Sequence, residues 1–200
     1  MKLRAVFAAI AVVSTGLAVL AAVTDGFRAT TSEAAWRLAV GERPQPLPDA
    51  TLIDQSGRSL RLSALRGRRV LIEFFYTSCP AICGLLASQF QAGFERLISQ
   101  SEGPEILLLS VSFDPERDTV TELADYAARL GADGQIWRVA RVNDPIELRR
   151  LLDASGVVVL PDGAGGFVHN AAIYLVDAEG RLAHVYDADG AERAIAELDR

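Results

Sequence analysis

The chain has 200 residues, is 50% hydrophobic and 23% charged, and carries a formal net charge of −6. That composition describes a globular protein rather than a disordered one, and its length allows one domain with a substantial core. The acidic balance, with no basic stripe interleaved with aromatics, excludes nucleic acid as an expected partner.

Residues 1–29 read as a membrane anchor or signal segment. Lys2 and Arg4 precede an uncharged apolar run from Ala5 to Thr24, close to the roughly 20 residues that cross a bilayer as one helix. A secretory signal competes, because Val19-Leu20-Ala21 resembles a small-residue cleavage site. The run exceeds the usual signal core of about 7–15 residues, which favours an uncleaved anchor. No cysteine directly follows it to accept a lipid. The positive flank stays in the cytoplasm, so the remainder is expected outside it, tethered by a single pass.

Residues 30–48, interrupted by Pro44, Pro46 and Pro48, read as an irregular linker, and residues 49–200 as the folded domain. Ala50–Leu62 is expected to form a small hairpin turning at Ser56-Gly57. The β-branched and aromatic run Arg68–Tyr76 predicts a central buried strand. A helix should follow from Pro80 to about Ser99, with Leu86, Phe90, Phe94 and Leu97 on one stripe. Glu105–Phe113 predicts a second buried strand, and Asp118–Gly131 a capped helix ending at a glycine. Gln135–Arg141 predicts a third strand. Asp144–Gly156 predicts a helix with an Asp cap and Pro145 in its first turn. Ala171–Asp187 should be a hairpin turning at Glu179-Gly180, and a short helix from Ala191 closes the chain. Strands that alternate with helices and end in a hairpin predict an α/β fold, a thioredoxin-like mixed central sheet with flanking helices.

The only two cysteines, Cys79 and Cys83, stand four apart in "FFYTSCPAIC". Cys79 falls at a strand-to-helix junction, where sites form in such sheets. A helix N-terminus favours thiolate, and Cys83 one turn on points the same way. Such a pair can share a metal or close a disulfide, since helical i,i+4 Cα atoms lie about 6 Å apart, within the disulfide range. A closed zinc site wants four ligands, and the chain has just two histidines, His169 and His184. Two thiolates with one imidazole form a soft, open, three-coordinate set suited to copper.

Three segments in order, "FFYTSCPAIC", "SVSFDPERDT" (Ser110–Thr119) and "VHNAAIYLVDAEGRL" (Val168–Leu182), resemble the Sco/SenC family of copper-binding, thioredoxin-fold proteins over roughly residues 45–198. The resemblance implies copper ligation, as Cu(I) or Cu(II), by Cys79, Cys83 and His169, the last lying before the late Y-L-x-D strand. It implies a membrane-tethered protein outside the cytoplasm. Its expected role is assembly of the dinuclear copper centre in cytochrome c oxidase subunit II, or of another exported copper protein. Copper delivery, reduction of that subunit's cysteines, or both would serve that role. The chain departs from the family pattern at Gly84 and Val120, where proline is usual, and at Val168-His169-Asn170, where D-H-S is usual. The last departure alters the surroundings that orient the imidazole.

The alternative is a dedicated thiol–disulfide oxidoreductase with Cys79 and Cys83 as its redox pair. General thioredoxin-like reductases use C-x-x-C with a cis-proline opposite, whereas this chain has a longer spacing and His169-Asn170 at the corresponding turn. The P-x-x-x-T-x-x-C signature of a peroxidase is absent, since Thr77 lies only two residues before Cys79. Gly-rich Leu160–Asn170 reads as a loop that returns His169 over the strand ends facing Cys79. His184, alternating with Leu182 and Tyr186 on an edge strand, reads as a surface residue. Asp114 reads as a turn former or a contact near the site, Arg117 and Asp118 as a local pair and helix cap, and Arg66, Arg68 and Arg69 as a solvated loop.

Overall fold

The structure, a computed structural model, describes the chain except residues 1, 25, 80–86, 89, 94, 96–105, 191–193 and 196–200. The chain divides into two units, Met1–Arg43 and Pro44–Arg200. In the first, α1 (Lys2–Val23) has 22 residues, a length of about 33 Å at the helical rise. Leu3, Val6, Phe7, Ile10, Val12, Val13 and Leu17 are all exposed on it. An apolar surface on every side distinguishes it from a one-sided core helix, and it is long and apolar enough to cross a membrane.

The expected linker contains a helix, α2 (Ser32–Glu42), which the reading of residues 30–48 as irregular missed. Thr31 caps it by accepting a hydrogen bond from the Ala34 amide, and Arg37 pairs with Glu33 one turn back at 2.7 Å. The three prolines lie beyond its end, so they break the chain after the helix rather than through it.

The second unit is built on an eight-stranded mixed sheet in the order β1-β10-β9-β4-β5-β6-β2-β3. Its strands are β1 (Gln45–Pro46), β2 (Thr51–Asp54), β3 (Ser59–Arg61), β4 (Arg69–Phe75), β5 (Ile106–Ser112), β6 (Trp137–Val142), β9 (Ala172–Val176) and β10 (Arg181–Asp187). A separate two-stranded sheet holds β7 (Val159–Pro161) and β8 (Phe167–His169). Strands β4, β5 and β6 run parallel, while β9 runs antiparallel beside β4. Every residue of β5 and β9 is buried, as is all of β4 after Arg69, which is why these strands read as predominantly apolar runs rather than alternating ones. Residues 87–88, 90–93 and 95 are helical and form the described part of α3; the expected start of this helix at Pro80 lies outside the described residues. Helices α4 (Val120–Leu130) and α5 (Pro145–Ala154) follow as expected. Gly131 ends α4 in the left-handed conformation, φ 74°. The closing helix is described at Ala194 and Ile195, which join Leu71, Leu108, Trp137, Ile173 and Phe90 in one core cluster.

Side chains alternate across β4. Phe75 stacks on Tyr126 of α4 at 4.5 Å between ring centroids, whereas Phe74 meets Tyr174 edge-on at 5.3 Å. On the Phe75 face Glu73 is fully buried. The Ser110 hydroxyl donates to its Oε1 at 2.5 Å and accepts from the Trp137 indole at 3.0 Å. Oε2 has no hydrogen-bond partner among the described residues. Burial pushes this carboxyl from 4.5 up to about 7, against the opposing pull of Ser110.

Strand β10 is not the outermost strand, because β1 pairs with Arg181 and Leu182. A bulge between Leu182 and His184 breaks the expected alternation. Leu182 is buried and His184 exposed, so the extra residue re-aims the histidine outward.

The cap of α4 is Thr119, in a reciprocal capping box with Glu122. Asp118, expected as the cap paired to Arg117, is instead a fully buried acceptor. It takes the Thr77 amide at 3.0 Å, the Thr77 hydroxyl at 2.5 Å and the Ser112 hydroxyl. Arg117 pairs with Asp114. The carboxylate thus ties the exit of β4 to the end of β5.

Two outcomes test these assignments. Between pH 4.5 and about 7 the unfolded Glu73 carboxylate is ionised while the folded one keeps its proton. Folding stability should therefore fall by about 3 kcal/mol as pH rises through that window. Urea unfolding at several pH values should show the fall in the parent protein and not in Glu73→Gln. Asp118→Asn keeps the shape but places a donor where donors converge, and should lower unfolding free energy by about 2 kcal/mol in the same assay.

Candidate metal centre

The thiol side of the site is made where β4 leaves the sheet. Tyr76 is buried, and its carbonyl accepts from the Cys79 amide at 3.2 Å, closing a tight turn over residues 76–79. Thr77 inside that turn is held by Asp118. Cys79, half-buried, is the last residue described before position 80. Cys83 lies outside the described residues.

The histidine side comes from β7 and β8. The expected glycine-rich loop is a hairpin, pairing Val159 with His169, Leu160 with Val168 and Pro161 with Phe167. Its tip is organised by Asp162, whose carboxylate accepts from the Ala164 and Gly166 amides at 2.7 and 2.9 Å. Those amides hold the Asp162 carboxyl below its ordinary value. At the base Asn170 bridges back to the end of α5. Its side chain accepts from the Val158 amide at 2.7 Å and donates to the Gly156 carbonyl at 2.9 Å. Cross-strand pairing and these side-chain contacts to the backbone make a hairpin of a segment whose composition reads as a loop.

His169 is 9% exposed. Its ring lies 5.0 Å from that of Phe113 and 6.5 Å from that of Tyr76, both edge-on. Burial lowers its pKa from 6.5, opposed by the hydrogen bond to the Asn170 carbonyl. The imidazole is therefore biased towards its neutral, metal-binding form. Nδ1 stands 3.3 Å from that carbonyl, which can only accept, so in the neutral ring the proton belongs on Nδ1 and the lone pair on Nε2.

The hairpin is fastened to the thiol side through Tyr76. The tyrosine hydroxyl accepts from the Phe167 amide at 3.2 Å and reaches the Phe167 carbonyl at 3.3 Å. The Tyr76, Phe113 and Phe167 rings pack at 5.3 to 5.6 Å. From the far side Arg117 donates to the Gly165 carbonyl and lies 5.1 Å from the Phe167 ring centre. Asp114, a buried turn residue, accepts from Arg117. Among the expected site residues, then, Cys79 and His169 are joined through Tyr76, while His184 is exposed on β10.

Sequence reasoning missed Tyr76, Phe113, Phe167 and Asp118. Tyr76 and Phe113 read as the ends of buried strands, and Phe167 as part of the glycine-rich loop. Asp118 carried a usable signal, since Thr119-x-x-Glu122 is itself a capping box that frees the aspartate for another role.

The profile described as SCO1/SenC matches residues 42–200. A SCO1 protein homolog of Bacillus subtilis is 27% identical over 139 residues, which are 68% of this chain and 71% of that one. The structure of Bradyrhizobium japonicum ScoI with copper bound is 26% identical with a TM-score of 0.62, covering 78% of this chain and 98% of that one. BsSco, a member of the Sco family of cytochrome c oxidase assembly proteins with a disulfide switch, shares the fold at a TM-score of 0.68 and 20% identity, covering 78% of this chain and 93% of that one. With the profile running from the start of the mixed sheet to the C-terminus, the chain belongs to the SCO1/SenC family.

Proposed function

We propose that this protein is a copper-binding assembly factor with Cys79, Cys83 and His169 as its ligands. The observation that supports the reading best is the seating of His169 on Tyr76, whose own carbonyl closes the Cys79 turn. The donor chemistry fits. Cys79 is partly accessible, and with Nδ1 directed to the Asn170 carbonyl the neutral imidazole carries its lone pair on Nε2, the atom that would face a metal. Thiolates favour Cu(I) and imidazole also suits Cu(II), so the set accommodates both oxidation states. ScoI of B. japonicum has been solved with copper bound.

The reading assigns this protein the delivery of copper to the dinuclear site of cytochrome c oxidase subunit II, the reduction of that site's cysteines, or both. BsSco is named among cytochrome c oxidase assembly proteins. Helix α1 would hold the domain at the membrane on the extracytoplasmic side, with Lys2 and Arg4 inside. The alternative is a dedicated thiol–disulfide oxidoreductase for exported clients, favoured by the disulfide switch described for BsSco.

Membranes washed in alkaline carbonate should retain the protein, as shown by immunoblotting. A soluble mature form beginning near Ala22 would mean that the segment is a cleaved signal. In copper competition titrations, His169→Ala should weaken Cu(II) binding by at least about 100-fold, more than the loss of an outer contact, while the two thiolates retain some Cu(I). His184→Ala should bind as the parent does. The ligand set fails if His184→Ala abolishes Cu(II) binding and His169→Ala does not. If neither histidine matters, yet Cys79→Ser and Cys83→Ser both abolish disulfide exchange with a client, the oxidoreductase reading replaces this one.

A further inference from the structure

We propose that Tyr76 is the positioning residue that registers the histidine hairpin against the thiol turn, so that His169 is presented to the metal by a tyrosine hydroxyl on the other arm of the site. The inference rests on the copper reading and specifies what sets its geometry. Its first support is that the hydroxyl engages both backbone groups of one residue. It faces the Phe167 amide at 3.2 Å and the Phe167 carbonyl at 3.3 Å. A side chain that satisfies both groups stands in for a neighbouring strand, and it does so two residues before His169.

The second support is that the same residue is committed at its other end. The Tyr76 carbonyl takes the Cys79 amide, and the adjoining Thr77 is fixed by Asp118. Displacement of the tyrosine therefore moves both arms. The third is steric. A Cβ on Gly166 would stand 3.2 Å from the Tyr76 hydroxyl and 2.6 Å from Asp162 Oδ2. Glycine at 166 lets the hairpin backbone close onto the hydroxyl. Phe113 and Arg117 pack the hairpin from other directions, but neither also closes the Cys79 turn.

Tyr76→Phe keeps the ring and its packing and removes only the hydroxyl, so the fold should survive. Hydrogen exchange on the metal-free full chain in detergent gives a readout independent of copper. The Phe167 amide should exchange at least about tenfold faster in the variant, as a lost hydrogen bond allows, while Ile72 and Leu109 inside the sheet keep their rates. In copper titrations the variant should bind Cu(II) about 10–100-fold more weakly, the range for residues that orient a ligand. It should also shift the thiolate-to-copper absorption bands. Combined with His169→Ala, it should add no further loss. The proposal is overturned if Phe167 exchange is unchanged. It is equally overturned if Tyr76→Phe weakens Cu(II) binding by the same factor with and without His169, since the effect would then pass through the cysteines. Should the parent protein bind no copper, the copper reading falls, and the Phe167 exchange rate alone decides whether Tyr76 clamps the hairpin.

Discussion

The carboxylate of Asp118 holds the chain at the point where β4 leaves the sheet. It accepts from the Thr77 amide, the Thr77 hydroxyl and the Ser112 hydroxyl, and it is fully buried. A buried carboxylate is tolerated only when its lone pairs are used, and here they are used by the two strands that flank the site. The Arg141 guanidinium adds donors to the Pro115 and Asp118 carbonyls, which holds the acidic loop itself in place. The turn carrying Cys79 thus begins from a backbone fixed on both sides, and Tyr76 can meet the hairpin from a constant position.

The elements whose pattern has one physical meaning were legible in the sequence. Strands β4 and β5 read directly, because strands buried on both faces are predominantly apolar, with Glu73, Ser110 and Ser112 as their buried polar exceptions. Helices α4 and α5 read from their ends, at Gly131 and at Asp144-Pro145. Where two meanings compete, the reading failed. Residues 160–170 carry the glycines of a loop, yet cross-strand pairing and the Asp162 and Asn170 contacts hold part of the segment as strands. The helix over residues 32–42 was hidden by prolines that lie after it. Asp118 and Thr119 are both good caps, and only the tertiary position of Thr77 decides between them. His169 was found through the family resemblance, whereas its support by Tyr76, Phe113 and Phe167 comes from residues far apart in sequence and has no local signature.

Glu73 shows a different conflict. A carboxyl at the centre of the sheet costs desolvation that one hydroxyl donor does not offset, and the protein answers by holding it protonated up to about pH 7. An apolar residue would be the more stable choice on the face shared by Leu71 and Phe75. Departures of this kind from the local rule concentrate near functional sites, and this one stands on the strand that leads to Cys79.

Of the departures from the family pattern, Gly84 lies outside the described residues, and the other three differ in where they fall. Val120 is the first residue of α4, a position that favours proline because its amide has no intrahelical partner. Valine there loses a preference and no hydrogen bond, so this difference belongs to the helix rather than to the metal. Val168 pairs with Leu160, and both are exposed, 62% and 58%. Alternation along β8 puts that face opposite the one bearing Phe167 and His169, so the change from an acid alters the outside of the hairpin. Asn170 is the one of the three that reaches the imidazole. Its carbonyl receives Nδ1 while its side chain anchors the hairpin to Gly156 and Val158. A shorter serine at 170 could supply the same carbonyl but not the same span. The asparagine therefore makes the base of the hairpin, and with it the orientation of His169, a property of this chain's own contacts with the segment that follows α5.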